Sequence, residues 1–254
     1  MTINRRHEEI LKILSRLRSV SVTELTRRLA VSEVTIRKDL STLEEMGQLL
    51  RSRGGADLAE DKSIRQPLTI RRREHLEQKK TIVKRAATFI REGDTIFLDS
   101  GSTCTLLAKE LCGMNLRVVT NSLDVLTVLA DCQGLSVISV GGNYRMEAGS
   151  FIGPMAEDNL KNFQVETAFL GATAFSGEGL FSAQNIIESR IKSMALQVAR
   201  RGIVLADSSK YGISAFSVFA RPEDVDVLIT DSTFEEVSVF QNLGIEVLFG
   251  IHTQ

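Results

Sequence analysis

The chain has 254 residues, 43% of them apolar and 25% charged, with a formal net charge of −1. Those are the proportions of an ordinary soluble globular protein able to bury a sizeable core, and they exclude disordered and collagen-like classes. No apolar run reaches the roughly 18 residues of a membrane span, and the charged, amphipathic residues 1–10 do not read as a secretory signal.

Cys104, Cys112 and Cys132 have neither C-x-x-C spacing nor accompanying histidines. Neither a disulfide framework nor a zinc site is expected, no cofactor is called for, and a reducing cytoplasm is the expected location. The small net charge hides an asymmetry. Residues 1–92 hold 21 Lys and Arg against 13 Asp and Glu, a balance of +8; residues 93–254 hold 10 against 19, a balance of −9. A basic front and an acidic back point to a polyanionic partner for the front alone.

Three short helices can be read between residues 5 and 46. Ile10, Ile13, Leu14 and Leu17 form one apolar stripe at helical spacing, which stops near Arg18-Ser19. Ser21-Val22-Thr23-Glu24 has the spacing of a capping box, and Val22, Leu25 and Leu29 then share a face. Ser32 is placed to cap a third helix whose Ile36, Leu40 and Leu43 lie in a narrow inward arc. Val34, Thr35, Arg37, Lys38, Ser41 and Thr42 point the other way, as a recognition helix in a major groove requires. Arg37 suits guanine O6 and N7 or a phosphate; Lys38 suits the backbone, and Thr35 a thymine methyl or a phosphate oxygen. Met46-Gly47 ends that helix. Residues 49–56 read as strand, turn and strand, a wing that brings Arg51 and Arg53 to the flanking phosphates.

The run Val31-Ser32-Glu33-Val34-Thr35-Ile36-Arg37-Lys38-Asp39-Leu40, with Gly47 and Arg53-Gly54-Gly55-Ala56 after it, resembles the winged helix-turn-helix of the DeoR family. That family usually has Arg in place of Lys38 and His in place of Arg53; both changes keep a group able to bind phosphate. Residues 1–57 are thus expected to form the DNA-binding domain and residues 58–75 a linker. The linker contains Pro67 and the cluster Arg71-Arg72-Arg73, which suits either DNA or plain solvation. A helix is expected over 76–91, at the start of a domain spanning 76–254.

In that larger domain, apolar strands are expected at 95–98, 117–120, 136–140, 166–170, 202–206, 225–230 and 246–249, alternating with helices. Such alternation makes an α/β fold with a mostly parallel sheet, whose ligands bind beyond the carboxyl ends of the strands. The first such end carries Asp99, Ser100, Gly101, Ser102 and Thr103, a small polar loop opening a helix and suited to an anion. The next carries Thr120, Asn121 and Ser122. Gly141 and Gly142 follow the third strand, and Asp207-Ser208-Ser209-Lys210 offers a cation after the fifth. On a helix expected over 183–201, Glu188 and Lys192 have the spacing of a surface ion pair, and Asp207-Ser208 also has the chemistry of a helix cap.

Taken in order, these segments resemble the DeoR sensor domain, which is similar in fold to ribose-5-phosphate isomerase and glucosamine-6-phosphate isomerase. The resemblance implies an oligomeric transcriptional repressor, a homodimer or homotetramer. It implies binding to double-stranded operator DNA of a sugar-metabolism operon and release by a phosphorylated sugar effector at Asp99, Ser100, Gly101, Ser102, Thr103, Thr120, Asn121, Ser122, Gly141, Gly142, Glu188, Asp207 and Lys210. The loop at residues 171–179 departs from the isomerases, which are acidic early in this loop; here those places hold Thr173, Ala174 and Ser176, with Glu178 further on.

The alternative is a sugar-phosphate isomerase with an accessory domain. Its base would be a carboxylate, and Asp99, Glu178, Glu188 and Asp207 are available. His7, His75 and His252 do not group into a catalytic arrangement. The loop departure and the DNA-reading segment both speak for a regulator that is not an enzyme.

Overall fold

The computed structural model describes residues 3–17, 19–45, 49–52, 54–58 and 68–252. The chain folds as two compact units, Met1–Ile70 and Arg71–Gln254. Met46, Gly47, Arg53 and Pro67, which carry parts of the expected helix end, wing and linker, lie outside the described residues.

The first unit runs α1 (Ile3–Leu17), β1 (Ser19–Ser21), α2 (Val22–Leu29), α3 (Glu33–Glu45), β2 (Leu49–Ser52) and β3 (Gly55–Leu58). Ile10, Leu14, Val22, Leu25, Ile36, Leu40 and Leu43 meet in its core, with Val20, Leu49 and Ala56 from the strands. The strands form an antiparallel sheet in the order β1-β3-β2, so the wing gains a third strand not expected from the sequence. Leu17, expected on the buried stripe of α1, is 44% exposed at the helix end.

Ser21 caps α2 by accepting from the Glu24 backbone N at 3.1 Å. The reciprocal half of the expected capping box is replaced: the Glu24 carboxylate accepts from the Arg27 and Arg28 side chains. Two guanidiniums one turn along the helix outcompete a single backbone N–H. Ala30 then turns the chain with a left-handed φ of 51°, and the Thr35 N donates to Ser32 Oγ at 3.2 Å to cap α3.

The second unit begins as α4 (Leu68–Arg71) ends. It continues with α5 (Leu76–Ala87), β4 (Thr95–Leu98), α6 (Ser102–Lys109), β5 (Leu116–Thr120), α7 (Leu123–Leu129), β6 (Leu135–Ser139), β7 (Asn143–Arg145), β8 (Ser150–Ile152) and α8 (Pro154–Leu160). There follow β9 (Val165–Gly171), β10 (Ala174–Phe175), β11 (Phe181–Ala183), α9 (Ile186–Gln197), β12 (Ala199–Leu205), β13 (Ser217–Ala220), β14 (Val227–Thr230), α10 (Val237–Asn242) and β15 (Glu246–Phe249). Seven strands in the order β15-β14-β12-β9-β4-β5-β6 pair in parallel, and all seven arise from runs expected to be strands.

Both faces of this sheet are covered at its centre, where β4, β14 and the later residues of β9 and β12 are continuous buried runs, while the edge strands β6 and β15 are only partly buried. Ile96 and Leu98 of β4 pack with Ile82 of α5, Leu107 of α6 and Val125 of α7. Phe97 faces the other layer, with Leu160 of α8, Ile191 of α9 and Phe240 of α10. The hairpin β7-β8 and the antiparallel set β10-β11-β13 are additions to the expected alternation.

Two expected helices are shorter than the apolar pattern suggests. α5 stops at Ala87 rather than 91. α9 begins at Ile186 because the Asn185 side chain accepts from the N–H groups of Ile187 and Glu188, both at 3.0 Å. The cysteine expectation is also corrected: Cys112 and Cys132 form a disulfide, with Cα atoms 5.0 Å apart and a sequence separation of 20. Spacing motifs say nothing about a pair that the fold brings together from the ends of two helical segments. Cys104 is free and buried.

Candidate functional site

On the DNA-reading unit, α3 turns Ile36, Leu40 and Leu43 inward and leaves Ser32, Val34, Arg37 and Lys38 exposed. Val34 is 77% exposed, apolar surface whose removal from water would be favourable. Thr35, Ser41 and Thr42 are half-buried. Ser41 Oγ donates to the Arg37 carbonyl at 3.0 Å and Thr42 Oγ1 to the Lys38 carbonyl at 3.1 Å. Arg37 Nη2 lies 3.4 Å from Glu33 Oε2, a loose exposed pair that is readily exchanged for another acceptor. Arg51, on β2, donates from Nη1 to Ser41 Oγ at 3.0 Å, so the first wing cation is tied to α3.

Sequence reasoning gave no part to Asp39, which is 4% exposed. Its carboxylate takes a two-pronged grip from Arg6 Nε and Nη2 and lies 3.2 Å from His7 Nε2. Burial pushes the Asp39 pKa up, but the Arg6 and His7 contacts outweigh it and hold the group below the usual carboxylate range. This pair fixes α1 against α3 and so sets the pitch of the exposed face.

In the second unit, the polar cavity sits beyond the carboxyl ends of β4, β9 and β12. It is lined by Ser100, Gly101, Ser102, Thr103, Gly171, Ala172, Thr173, Glu188, Lys192, Asp207 and Lys210, and also by Arg71, Glu74 and Lys79. Gly101 caps α6 with φ 126°, a conformation open to glycine and strained for other residues. It turns the N-terminus of α6, with its free backbone N–H groups, into the cavity.

Seven of the expected effector residues therefore line the cavity together: Ser100, Gly101, Ser102, Thr103, Glu188, Asp207 and Lys210. Asp99 lies just beneath, 1% exposed. Its Oδ2 accepts from Lys192 Nζ and from the Gly171 N at 3.1 Å, while Oδ1 is buried without a hydrogen-bond partner. Lys192 Nζ also donates to the Gly171 carbonyl at 2.8 Å and lies 5.3 Å from the centre of the Phe219 ring. The i, i+4 pairing of Glu188 with Lys192 does not form: Glu188 turns to Arg145 Nη1 at 3.4 Å, and Lys192 to Asp99.

The remaining expected residues are not among the lining. Thr120 Oγ1 donates to the Leu98 carbonyl, and Ser122 Oγ caps α7 by accepting from the Val125 N at 3.2 Å. Asn121 is buried with Oδ1 unpartnered. A Cβ at Gly142 would stand 2.8 Å from the Ile152 carbonyl oxygen and 2.9 Å from Ala156 Cβ, so that glycine admits β8 and α8. Gly141 donates its N–H to Ser139 Oγ at 3.1 Å. In the loop 171–179, Ala172 and Thr173 reach the cavity and Glu178 is exposed outside it.

Two cations that sequence reasoning left aside are in the lining. Lys79 of α5 is 4% exposed and donates from Nζ to the carbonyls of Arg71 and Glu74. Burial lowers its pKa to about 8, with Lys210 and Arg71 adding to the effect and Asp207 and Glu74 opposing it. Burial likewise lowers the Arg71 pKa, against the pull of Glu188 and Asp99. The signal that could have placed Lys79 inward is helical spacing: it falls three residues after Leu76 and three and four before Ile82 and Val83, on the buried stripe of α5.

A helix-turn-helix with a wing, joined to a parallel α/β unit with a cation-lined pocket at its strand ends, defines a DNA-binding regulator with a sensor. The comparisons agree. Residues 6–62 match the DeoR-like helix-turn-helix domain, and residues 74–232 match the DeoR C-terminal sensor domain. The chain belongs to the DeoR family of transcriptional regulators.

It is 35% identical over 239 residues to YulB of Bacillus subtilis, described as an uncharacterised HTH-type transcriptional regulator, covering 94% of this chain and 93% of that one. It is 35% identical over 229 residues to the transcriptional repressor AccR of Agrobacterium fabrum, covering 89% of each. Ribose 5-phosphate isomerase A of Methanocaldococcus jannaschii aligns over 54% of this chain and 55% of that chain, at 17% identity and a TM-score of 0.41.

Proposed function

We propose that the protein represses a sugar-metabolism operon and leaves its operator when a phosphorylated sugar binds the second unit. In this reading residues 1–57 hold the DNA, with Ser32, Val34, Thr35, Arg37, Lys38, Ser41 and Thr42 in the major groove and Arg51 and Arg53 on the phosphates. Residues 58–75 connect, and residues 76–254 sense and assemble. The observation that carries it is the chemistry of the cavity. The N-terminus of α6 and the cation of Lys210 suit a phosphate, while Glu188 and Asp207 suit sugar hydroxyls. One small molecule with both groups satisfies both halves of the lining. The repressor sign follows AccR, whose name states repression.

The regulator acts in the cytoplasm, where its DNA is, as a homodimer or homotetramer that places two recognition helices about one helical turn apart. Met146, Met155 and Phe216, 80%, 67% and 82% exposed on the second unit, supply apolar surface for assembly. The acidic residues of an isomerase are missing from the cavity side of the loop 171–179, which favours sensing over catalysis.

The test is thermal unfolding of the full chain with a panel of sugar phosphates and the matching unphosphorylated sugars. A native-state ligand must raise the midpoint by mass action. One sugar phosphate is expected to do so, and Lys210→Ala is expected to weaken it about tenfold, the worth of one charged hydrogen bond. An unchanged midpoint with every phosphate, or an equal response to the free sugar, would remove the phosphate from the reading.

A further inference from the structure

We propose that Arg71 is itself a ligand of the effector's anionic group, so that a filled cavity grips the chain one residue after it leaves the DNA-reading unit. The proposal rests on the cavity being the effector site and adds how the site speaks to the rest of the chain. The first unit ends at Ile70 and the second begins at Arg71. Arg71 closes α4, residues 72–75 form a turn, and His75, with φ 50°, opens α5. This turn is part of the cavity wall, through Arg71 and Glu74.

Three observations single out Arg71 from the neighbouring basic residues. Its Nε is buried without a hydrogen-bond partner among the described residues, whereas a buried guanidinium normally has its donors met. The two carboxylates that act on its charge each have another cation: Glu188 has Arg145 at 3.4 Å, and Asp99 has Lys192 on Oδ2, its Oδ1 being buried without a hydrogen-bond partner among the described residues. Arg72 and Arg73, by contrast, are exposed, and Arg72 Nη2 meets Asp124 Oδ2 of α7 outside this cavity.

Lys79 supplies the mechanical link. From the first turns of α5 its ammonium donates to the carbonyls of Arg71 and Glu74, stapling the two ends of the turn to one buried point. An anion that takes up Arg71 and lies beside Lys79 would therefore hold side chain and backbone of the turn together. A ligand acts on an equilibrium only through its differing affinity for two states. Here the state with the turn drawn into the wall binds the anion, and the state with the turn released does not. The phosphate's presence is thus converted into order at residues 71–75, where the covalent path to the DNA-reading helices starts.

The probe is inorganic phosphate, which needs no knowledge of the sugar. In the full chain, thermal unfolding reports binding, and hydrogen exchange read by mass spectrometry reports order over residues 71–79. Phosphate is expected to raise the midpoint and to slow exchange over 71–79. Arg71→Gln is expected to weaken phosphate about tenfold or more and to abolish the slowing. Arg71→Lys, which keeps the charge and loses the fork, is expected to fall between. Lys80→Gln, on the same helix and outside the cavity lining, is expected to match the unaltered chain. Phosphate binding as tightly to Arg71→Gln, or raising the midpoint without slowing exchange over 71–79, overturns the proposal and leaves the cavity as effector site. No response to phosphate in the unaltered chain removes both.

Discussion

An ammonium group with 4% of its residue's surface exposed, as at Lys79, is held charged by two carbonyls and by nearby carboxylates, against the cost of desolvation. Burial wins in part, and the folded pKa falls to about 8, with Asp207 and Glu74 opposing and Lys210 and Arg71 reinforcing the fall. The sign of the linkage is fixed by this. Unfolded, the lysine keeps its proton to about pH 10.4; folded, it releases it near 8. Between those values the unfolded state binds more protons, so stability rises with pH, by up to about 3 kcal/mol across the window. Below pH 8 both states are protonated and the full burial cost remains. Urea unfolding of the full chain at pH 7.5 and 9.5, beside Lys79→Met, measures it: the lysine chain should gain relative to the variant as pH rises. Equal pH slopes for the two chains would mean Lys79 is not buried as described.

Residues such as this were the least legible part of the sequence. The motif Asp99-Ser100-Gly101-Ser102-Thr103 could be read because its chemistry is local, a small polar loop before a helix. Lys192 looked like the partner of Glu188, four residues away, yet it reaches Asp99, 93 residues away in the chain. Arg71 read as one of three equivalent arginines, and only the fold separates it from Arg72 and Arg73.

At the scale of elements, the strands were legible because most carry a short run of Val, Ile, Leu, Phe or Ala, fully buried in β14 and nearly so in β4, and β4 and β15 have the expected limits. The element ends were less so, since they depend on single caps. Asn185 starts α9 three residues later than the pattern suggested, and Glu24 prefers two arginines to the Ser21 backbone. Strands of two to four residues, as in β10, β11 and β13, leave too short a run to show alternation. The turn between α2 and α3 carries a prediction of its own. Ala30 holds φ 51° where most helix-ending residues of this geometry are glycine. Ala30→Gly is expected to relieve the strain and stabilise the first unit by about 1 kcal/mol, read as a higher unfolding midpoint. A lower midpoint would show that the methyl group contributes more packing than it costs in strain.

For the molecule as a whole, the division of charge does not coincide with the division of structure: residues 1–70 hold 13 Lys and Arg against 10 Asp and Glu, and residues 71–92, in the second unit, hold 8 against 3. The excess of cations lies ahead of residue 93, and the unit that contains α3 and the wing is the one with exposed Arg37, Lys38 and Arg51. DNA affinity should then fall with salt as phosphates and counterions exchange, so any comparison with and without effector belongs at one ionic strength. The family follows from the ordered motifs and the matches to both domains. The sugar does not, because phosphate recognition uses general chemistry and the loop that would read hydroxyls is unusual here, with Ala172 and Thr173 toward the cavity.

The most direct measurement is fluorescence anisotropy of a labelled duplex from the gene's own upstream region, titrated with the full chain at fixed salt and then with a panel of sugar phosphates. Tight binding that one sugar phosphate reverses, while its unphosphorylated form does not, is the predicted result. Binding that survives every compound would contradict effector release, and a chain that binds this DNA no better than an unrelated duplex would contradict the repressor itself.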